Sequence, residues 1–84
     1  MNFPFFEIEL RPRRLENGSY KAGCVVSEHT GDTVHVILPK WELKNNIYEN
    51  EDAANKHMIF NVLRYLKREH GLKDKDLEKV KISK

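Results

Sequence analysis

The sequence predicts a small α+β domain, in which an antiparallel sheet of three or four strands carries one main helix packed on one face. Three observations support this fold class. Apolar and polar residues alternate in three segments before residue 40, which is typical of half-buried strands. Short turn signals separate these segments. A single amphipathic segment follows, and a meander covered by one helix is the economical arrangement of such elements.

The first predicted strand covers residues 5–11. Its apolar residues recur at every second position and share one face: Phe6, Ile8 and Leu10. Pro12 has no backbone N–H to donate, so strand pairing is expected to end there or to lie on an edge. Asn17-Gly18 then predicts a hairpin turn, because both residue types tolerate a positive φ.

The second predicted strand covers residues 20–27. Its alternate residues form an apolar face: Tyr20, Ala22, Cys24 and Val26. Gly23 lies within this strand and indicates either a β-bulge or the close approach of another backbone segment. A turn is predicted next, at residues 29–32.

The third predicted strand covers residues 33–38 and is rich in β-branched and apolar residues. Its apolar side is predicted to comprise Val34, Val36 and Leu38. Pro39 is expected to bend or end the strand. Trp41 and Leu43 continue the alternation beyond the proline, which indicates a short extra strand before a turn at Asn45-Asn46.

Residues 50–71 are predicted to form the main helix. Asn50 is a good N-cap, because its side-chain oxygen can accept a hydrogen bond from an amide of the first turn. The two acidic residues that follow suit the positive end of the helix dipole. Gly71 can adopt the left-handed conformation that closes a helix, and Leu72 can pack back on the last turn.

The predicted helix has two distinct faces when its residues are placed at about 100° intervals. The apolar stripe is broad enough to cover a sheet: Ala54, Met58, Ile59, Val62, Leu63, Tyr65 and Leu66. The opposite side is basic with one aromatic residue: Lys56, His57, Phe60, Asn61, Arg64, Lys67 and Arg68. We therefore predict a shared core that includes Phe6, Ile8, Tyr20, Cys24, Val36, Met58, Val62 and Leu66.

Residues 73–84 admit more than one interpretation. Residues 74–79 could form one helical turn. Val80 and Ile82 could form a short edge strand, in which lysines prevent further strand pairing. The segment could equally be a frayed and mobile tail.

Composition bounds the class of protein. The 84 residues are expected to form a single domain. The 15 basic and 13 acidic residues give a net charge of +2, a smaller basic excess than dedicated nucleic-acid binders usually have.

The only cysteine, Cys24, excludes an internal disulfide and is compatible with a reducing compartment. No apolar run approaches the roughly 20 residues of a membrane span, and acidic residues within residues 1–10 argue against a signal peptide. We therefore expect a cytoplasmic protein.

Three resemblances concern the order of the elements. The segments ENGSYKAGCVV and IYENEDAANKHMIFNVLRYL, residues 16–26 and 47–66, resemble small bacterial proteins built as a β-meander followed by one helix. This resemblance covers most of the chain and implies the fold, without an activity. The strand-strand-strand-helix order is also similar to the double-stranded RNA-binding domain, whose second helix begins with a Lys-rich motif that touches phosphates. Here the corresponding residues 50–54 are acidic, and no segment corresponds to that family's first helix.

The third resemblance is to the HicB-type antitoxins. Gly23-Cys24-Val25 and Gly31-Asp32-Thr33 resemble pieces of the signature of that family. In the antitoxins the helix follows almost at once, whereas here the strand at residues 34–38 intervenes.

No catalytic or metal-binding constellation is evident. Cys24 is in register with apolar neighbours, so a buried structural thiol is expected rather than a nucleophile. His57 and His70 share the helix at a separation of 13 residues, and neither HExxH nor CxxC spacing occurs. Asp74 and Asp76 lack the glycine and the distal glutamate of a calcium loop. We expect no enzymatic activity, no metal and no cofactor.

The basic helix face is the main functional clue. The candidate residues for an anionic partner are Lys56, His57, Phe60, Arg64, Lys67 and Arg68, and a second basic cluster comprises Arg11, Arg13 and Arg14. The face could be simply solvated, because Lys and Arg are good helix formers. It could instead bind an acidic protein surface, or nucleic acid, on whose bases Phe60 could stack.

We expect a non-enzymatic binding or regulatory module that acts through a protein partner. Self-association is also expected to be favourable, because the predicted sheet leaves two free edges. Nucleic-acid binding through the basic helix face is the alternative function, and no membrane partner is expected.

Overall fold

The structure is a computed structural model that describes residues 4–84; the first three residues of the segment 1–10 considered above lie outside it. It contains a four-stranded sheet, a two-stranded sheet and one main helix. The strands of the larger sheet are β1 (Phe5–Leu10), β4 (Gly23–Thr30), β5 (Thr33–Glu42) and β6 (Val80–Ser83). The smaller sheet pairs β2 (Arg13–Arg14) with β3 (Tyr20–Lys21), and the helices are α1 (Glu51–His70) and the 3₁₀ helix Asp74–Lys79. The predicted α+β class and single main helix are confirmed.

The strands of the larger sheet lie in the order β5–β4–β1–β6. β1, β4 and β5 pair antiparallel, as predicted. β6 instead pairs parallel with β1, so that Phe6 faces Val80 and Ile8 faces Ile82. Parallel neighbours need a crossover connection, and the chain supplies one through α1 and the 3₁₀ helix. The purely antiparallel meander is therefore wrong for the last strand, and residues 73–84 form both a helical turn and an edge strand.

The predicted second strand is divided at Ala22 into β3 and β4. Gly23 lets the backbone of Arg11 come close at this point, because an added Cβ would lie 2.6 Å from the backbone oxygen of Arg11. The Arg11 N–H donates to the Gly23 carbonyl at 2.8 Å. The close backbone approach that Gly23 predicts is thus present, and β1 ends before Pro12.

The turns predicted at Asn17-Gly18 and at residues 29–32 are present. Gly18 has φ +87°, and the Asn17 side chain accepts a hydrogen bond from the Ser19 N–H at 2.9 Å. Gly31, with φ +60°, begins the two-residue connection between β4 and β5. Among residues 4–84 only glycines have positive φ, so Asn17 supports its turn through its side chain.

β5 differs most from the prediction. It continues through Pro39 for ten residues, which an edge strand tolerates because one side of its backbone is unpaired. Leu38 faces Val26 on β4, but the next pair is Val36 with Ser27, so Ile37 is an extra residue in β5. Such a bulge reverses the faces of the strand.

The bulge explains why Val36 lies outside the core. Leu38 stays on the helix side of the sheet, and Val36 points to the opposite side, where 48% of it is exposed. Val34 is 56% exposed. The predicted burial of Val36, and the common side predicted for Val34, Val36 and Leu38, are therefore wrong.

Helix α1 begins and ends as predicted and packs on β1, β3 and β4. The Asn50 side chain accepts from the Ala53 N–H at 2.8 Å, and Gly71 closes the helix with φ +67°. The core comprises Ile8, Leu10, Ala22, Cys24, Val26, Ala54, Met58, Val62, Leu66 and Leu72. Phe6 and Tyr20 pack at its margin and are half-buried. Within residues 4–84, no helix is both long enough and apolar enough to cross a membrane.

Candidate functional site

The outward face of α1 presents most of the predicted anion-binding side chains to solvent. Lys56, Arg64, Lys67 and Arg68 are exposed, as is Phe60. The Arg64 guanidinium lies over the Phe60 ring, 5.8 Å from its centroid. An Arg at that distance from an aromatic face is in the range of a cation–π contact. One turn of the helix therefore combines a cation and an exposed ring, as the sequence predicts.

Most of the other cations on this face have a carboxylate close by. Lys56 pairs with Asp52 at 3.2 Å. Lys67 pairs with Asp74 at 2.7 Å, and its hydrogen bond holds the pKa of Asp74 below the usual value. Arg68 contacts Glu69 at 3.1 Å. Exposed pairs of this kind contribute little to stability, but they reduce the net positive charge that an anionic partner would meet.

His57 does not belong to the solvated face. It is half-buried, and its Nδ1 shares a hydrogen bond with the Tyr48 hydroxyl. The two rings meet edge to face with centroids 5.4 Å apart. Tyr48 also exchanges two backbone hydrogen bonds with Tyr20. His57 thus anchors the segment before α1 to the small sheet, which is a structural role.

The second basic cluster is largely neutralised as well. Arg13 forms two hydrogen bonds of 3.0 Å with the Glu42 carboxylate, and this pairing lowers the pKa of Glu42 and raises that of Arg13. Arg11 pairs with Glu9 at 2.8 Å. Arg14 is exposed. The carboxylates that pair with this cluster, Glu9 and Glu42, are different from those that pair with the cations of α1.

Trp41 adds an aromatic surface that was not predicted from the sequence. Its ring lies 6.0 Å from that of Tyr65, measured between centroids. A hollow of about 160 Å³ is lined by Trp41, Asn61, Arg64, Tyr65 and Arg68. A neighbouring hollow of about 240 Å³ is lined by Leu38, Lys40, Trp41 and Tyr65. We call this surface the Trp41 groove. It is basic and aromatic, and it continues to Phe60 through Arg64.

The Trp41 groove has only a weak signal in the sequence. Trp41 is the only tryptophan of the chain, and it follows Pro39 and Lys40 in a segment predicted as a short extra strand. Its position opposite Tyr65 depends on the extra residues in β5, because Cys24 faces Trp41 while Val26 faces Leu38. Both hollows are smaller than the roughly 300–1,000 Å³ of typical small-molecule sites.

The free edge of β5 is the second candidate surface, and it corresponds to one of the two free edges expected from the predicted sheet. β5 pairs only with β4 in the sheet. Val34 and Val36, the two most exposed apolar residues of this strand, lie on the side of the sheet away from α1. Between Thr33 and Leu38 the strand has no Asp, Glu, Lys or Arg. This short stretch is an unpaired and apolar strand edge.

The helix-free side of the sheet also carries a small polar network. The Glu7 carboxylate contacts His29 Nε2 at 2.8 Å and accepts from the Ser83 hydroxyl at 3.1 Å. The His29 ring stacks on Phe5 with centroids 4.4 Å apart. In the Ser-His-Asp arrangement the serine hydroxyl donates to histidine, whereas here the Ser83 hydroxyl donates to the Glu7 carboxylate. The network joins β1, β4 and β6 through their side chains.

The remaining candidates are Cys24 as a nucleophile and clusters of side chains that could bind a metal ion. Cys24 is 1% exposed, and burial raises the pKa of its thiol to about 12. Within residues 4–84, no group of three or more His, Cys, Asp or Glu side chains could hold a metal ion.

Comparisons with known proteins return no match. No protein-family model matches the chain, and no match was found among the curated proteins or the solved structures.

Proposed function

We propose that the protein is a small non-catalytic module that recognises a protein partner, and that this partner adds a strand to the free edge of β5. The observation that carries the proposal is the exposure of Val34 and Val36 on an edge strand of ten residues. In strand addition, backbone hydrogen bonds provide affinity and the alternate side chains provide specificity.

The two edges of the sheet differ in how well they are protected against pairing with another strand. β6 has four residues, and Lys81 lies among them; short strands and lysines both discourage further pairing. The second half of β5 contains Pro39 and two bulges, which have the same effect. Only the segment from Thr33 to Val36 is regular, uncharged and open. The proposed site is therefore this first half of β5.

The charge distribution also favours a protein partner over a polyanion. Lys56, Lys67 and Arg68 have carboxylates within ion-pair distance. A phosphate backbone would have to compete with those carboxylates, whereas a strand partner at β5 would not.

Affinity capture with edge variants tests the proposal. Val36→Lys places a charge on the open edge, and Ile82→Lys is the matched control, because Ile82 is exposed to the same degree (49%) on β6. We expect a partner, identified by mass spectrometry, to be retained by the wild type and by the control but lost by Val36→Lys. With the purified partner, the backbone amides of Val34 and Val36 should exchange more slowly with deuterium. Equal capture by Val36→Lys, or unchanged exchange at these amides, would contradict the proposal.

A second candidate function is supported by the Trp41 groove. Two rings, Trp41 and Tyr65, lie beside Arg64 and Lys40, for which no carboxylate within residues 4–84 forms an ion pair. Aromatic rings among cations favour single-stranded nucleic acid, and each stacked base contributes about 1–3 kcal/mol. This surface overlaps the predicted basic face at Asn61, Arg64 and Arg68 and extends it to β5.

The only tryptophan makes this second candidate easy to test. We expect single-stranded oligonucleotides to quench Trp41 fluorescence at low salt, with an affinity that falls by a log–log slope of roughly 0.7 for each phosphate contact. Arg64→Glu should weaken binding without lowering the melting temperature, since surface substitutions rarely affect folding. Arg14→Glu, in the other basic cluster, is the control and should bind normally. Unchanged fluorescence at low salt would exclude a base stacked in the groove.

A further inference from the structure

We infer that the partner at the β5 edge is a second copy of this chain, paired antiparallel about a twofold axis at His35. The inference rests on the proposed function, because it names the occupant of the same edge. In this arrangement Val34 of each copy faces Val36 of the other. The two four-stranded sheets would then form one continuous sheet of eight strands.

The backbone N–H and C=O groups of β5 point in the directions that this register requires. Thr30 and Thr33 flank the two-residue turn and face each other, so they form a hydrogen-bonded pair. Hydrogen-bonded and non-hydrogen-bonded pairs alternate along an antiparallel ladder. The N–H and C=O groups of Val34 and Val36 therefore point away from β4, toward the free edge. When Val34 of each copy pairs with Val36 of the other, every one of these N–H and C=O groups gains a hydrogen-bond partner.

The side chains are self-complementary in the same register. Val34 and Val36 both lie on the helix-free side of the sheet, because they face His29 and Ser27 of β4. The twofold axis brings four valines together, two from each copy, and β-branched cross-strand pairs stabilise a sheet. His35 lies on the other side of the sheet and meets its symmetry mate at the axis. No like-charged lysine or carboxylate pair opposes the contact.

Nothing within residues 4–84 covers this edge. Helix α1 packs on β1, β3 and β4, and Thr33, Val34, His35 and Val36 are all exposed. A contact of one short strand pair is smaller than the 1,200 Å² or so of a standard protein interface. The dimer should therefore be weak and reversible, and its population should depend on protein concentration.

The oligomeric state tests the inference directly. We expect sedimentation equilibrium of the full chain, from micromolar to millimolar concentration, to show a rise in average mass toward that of two chains. Val36→Lys should abolish this rise and keep the wild-type melting temperature, because the site is exposed. Ile82→Lys on β6 is the matched control and should dimerise like the wild type. A wild type that stays monomeric throughout, or a Val36→Lys variant that still dimerises, would overturn the inference.

Cysteine cross-linking tests the register. Facing residues of a non-hydrogen-bonded pair have Cα atoms about 4.5 Å apart, within the roughly 4.4–6.8 Å that a disulfide spans. His35→Cys should thus form a disulfide-linked dimer under mild oxidation. Val34→Cys should form little, because two residues of offset separate the Cα atoms by more than the 7 Å or so that a disulfide allows. The natural Cys24 is 1% exposed and should not interfere. Faster cross-linking of Val34→Cys than of His35→Cys would overturn this register.

These measurements separate the inference from the proposed function. If the wild type remains monomeric, the second copy is excluded as the occupant. The capture experiment with Val36→Lys and Ile82→Lys then still decides whether another protein binds the β5 edge.

Discussion

Among single residues, Cys24 shows how burial determines chemical behaviour. Its side chain is in register with Ala22 and Val26, and all three are buried in the core. Desolvation disfavours the thiolate and raises the pKa of the thiol to about 12. The thiolate is the reactive form of cysteine, so Cys24 is unsuited to nucleophilic or redox chemistry at neutral pH.

Thiol labelling tests this conclusion. We expect Cys24 to react slowly with a thiol reagent in the folded protein and rapidly after denaturant is added, because only unfolding exposes it. Labelling at equal rates in the two states would place the thiol on the surface. A redox or catalytic function would then have to be considered again.

The raised pKa of Cys24 also gives a pH dependence of stability. The unfolded thiol loses its proton near pH 9.0 and the folded one near pH 12, so the folded state holds the proton more tightly between these values. The Cys24 contribution is complete below about pH 9 and decreases as the pH rises toward 12. Denaturant unfolding should therefore show a steeper alkaline loss of stability for the wild type than for Cys24→Ala. Parallel pH profiles would contradict the raised pKa.

Asn55 is a single residue whose position the sequence did not indicate. It is only 5% exposed, although its neighbours in sequence include the exposed Lys56. Its side-chain oxygen accepts no hydrogen bond from residues 4–84. An unsatisfied buried polar group costs about 1–3 kcal/mol, so Asn55 weakens the core that the apolar stripe of α1 otherwise provides.

Among the elements, α1 follows its sequence pattern most closely. The four fully buried apolar residues of the helix recur at intervals of four: Ala54, Met58, Val62 and Leu66. Arg64, two residues from Val62, is exposed on the outer face. Complete burial of an aliphatic side chain contributes about 1.5–3 kcal/mol, so the packed stripe accounts for much of the stability that a small domain can have.

Charge substitutions on the two faces of α1 should have opposite outcomes. Val62→Asp should unfold the domain, because it buries a charge without a partner. Arg64→Glu should leave the melting temperature nearly unchanged, because that site is exposed. Thermal unfolding followed by circular dichroism measures both. If Val62→Asp kept the wild-type melting temperature, the assignment of the buried face would be wrong.

β5 is the element in which local pattern and tertiary structure disagree. Simple alternation assigns Val34, Val36 and Leu38 to one face, yet the extra residue at Ile37 places Leu38 on the opposite side from the two valines. A bulge adds one residue to one strand only, and its position depends on pairing with β4. The sequence of β5 alone does not contain that information.

For the whole molecule, the arrangement of strand edges matters most. The return of β6 beside β1 protects one side of the sheet and leaves β5 as the open edge. The Lys81 ammonium lies 4.3 Å from the centroid of the Phe5 ring, and Ser83 donates to Glu7, so the last strand is joined to the first by side chains as well. Both the proposed binding of a protein partner at β5 and the proposed pairing of two copies there follow from this difference between the two edges of the sheet.

The sequence by itself determined the fold class, the limits and the buried apolar stripe of α1, the turns at Gly18 and Gly31, and the burial of Cys24. These features depend on residues close together in the chain, through caps, turn conformations and periodicity. Only the tertiary structure decided the parallel pairing of β6, the exposure of Val36, and the meeting of Trp41 with Tyr65. Each of these depends on the pairing of residues far apart in the chain, and a one-residue change of register reverses the face on which a strand residue lies.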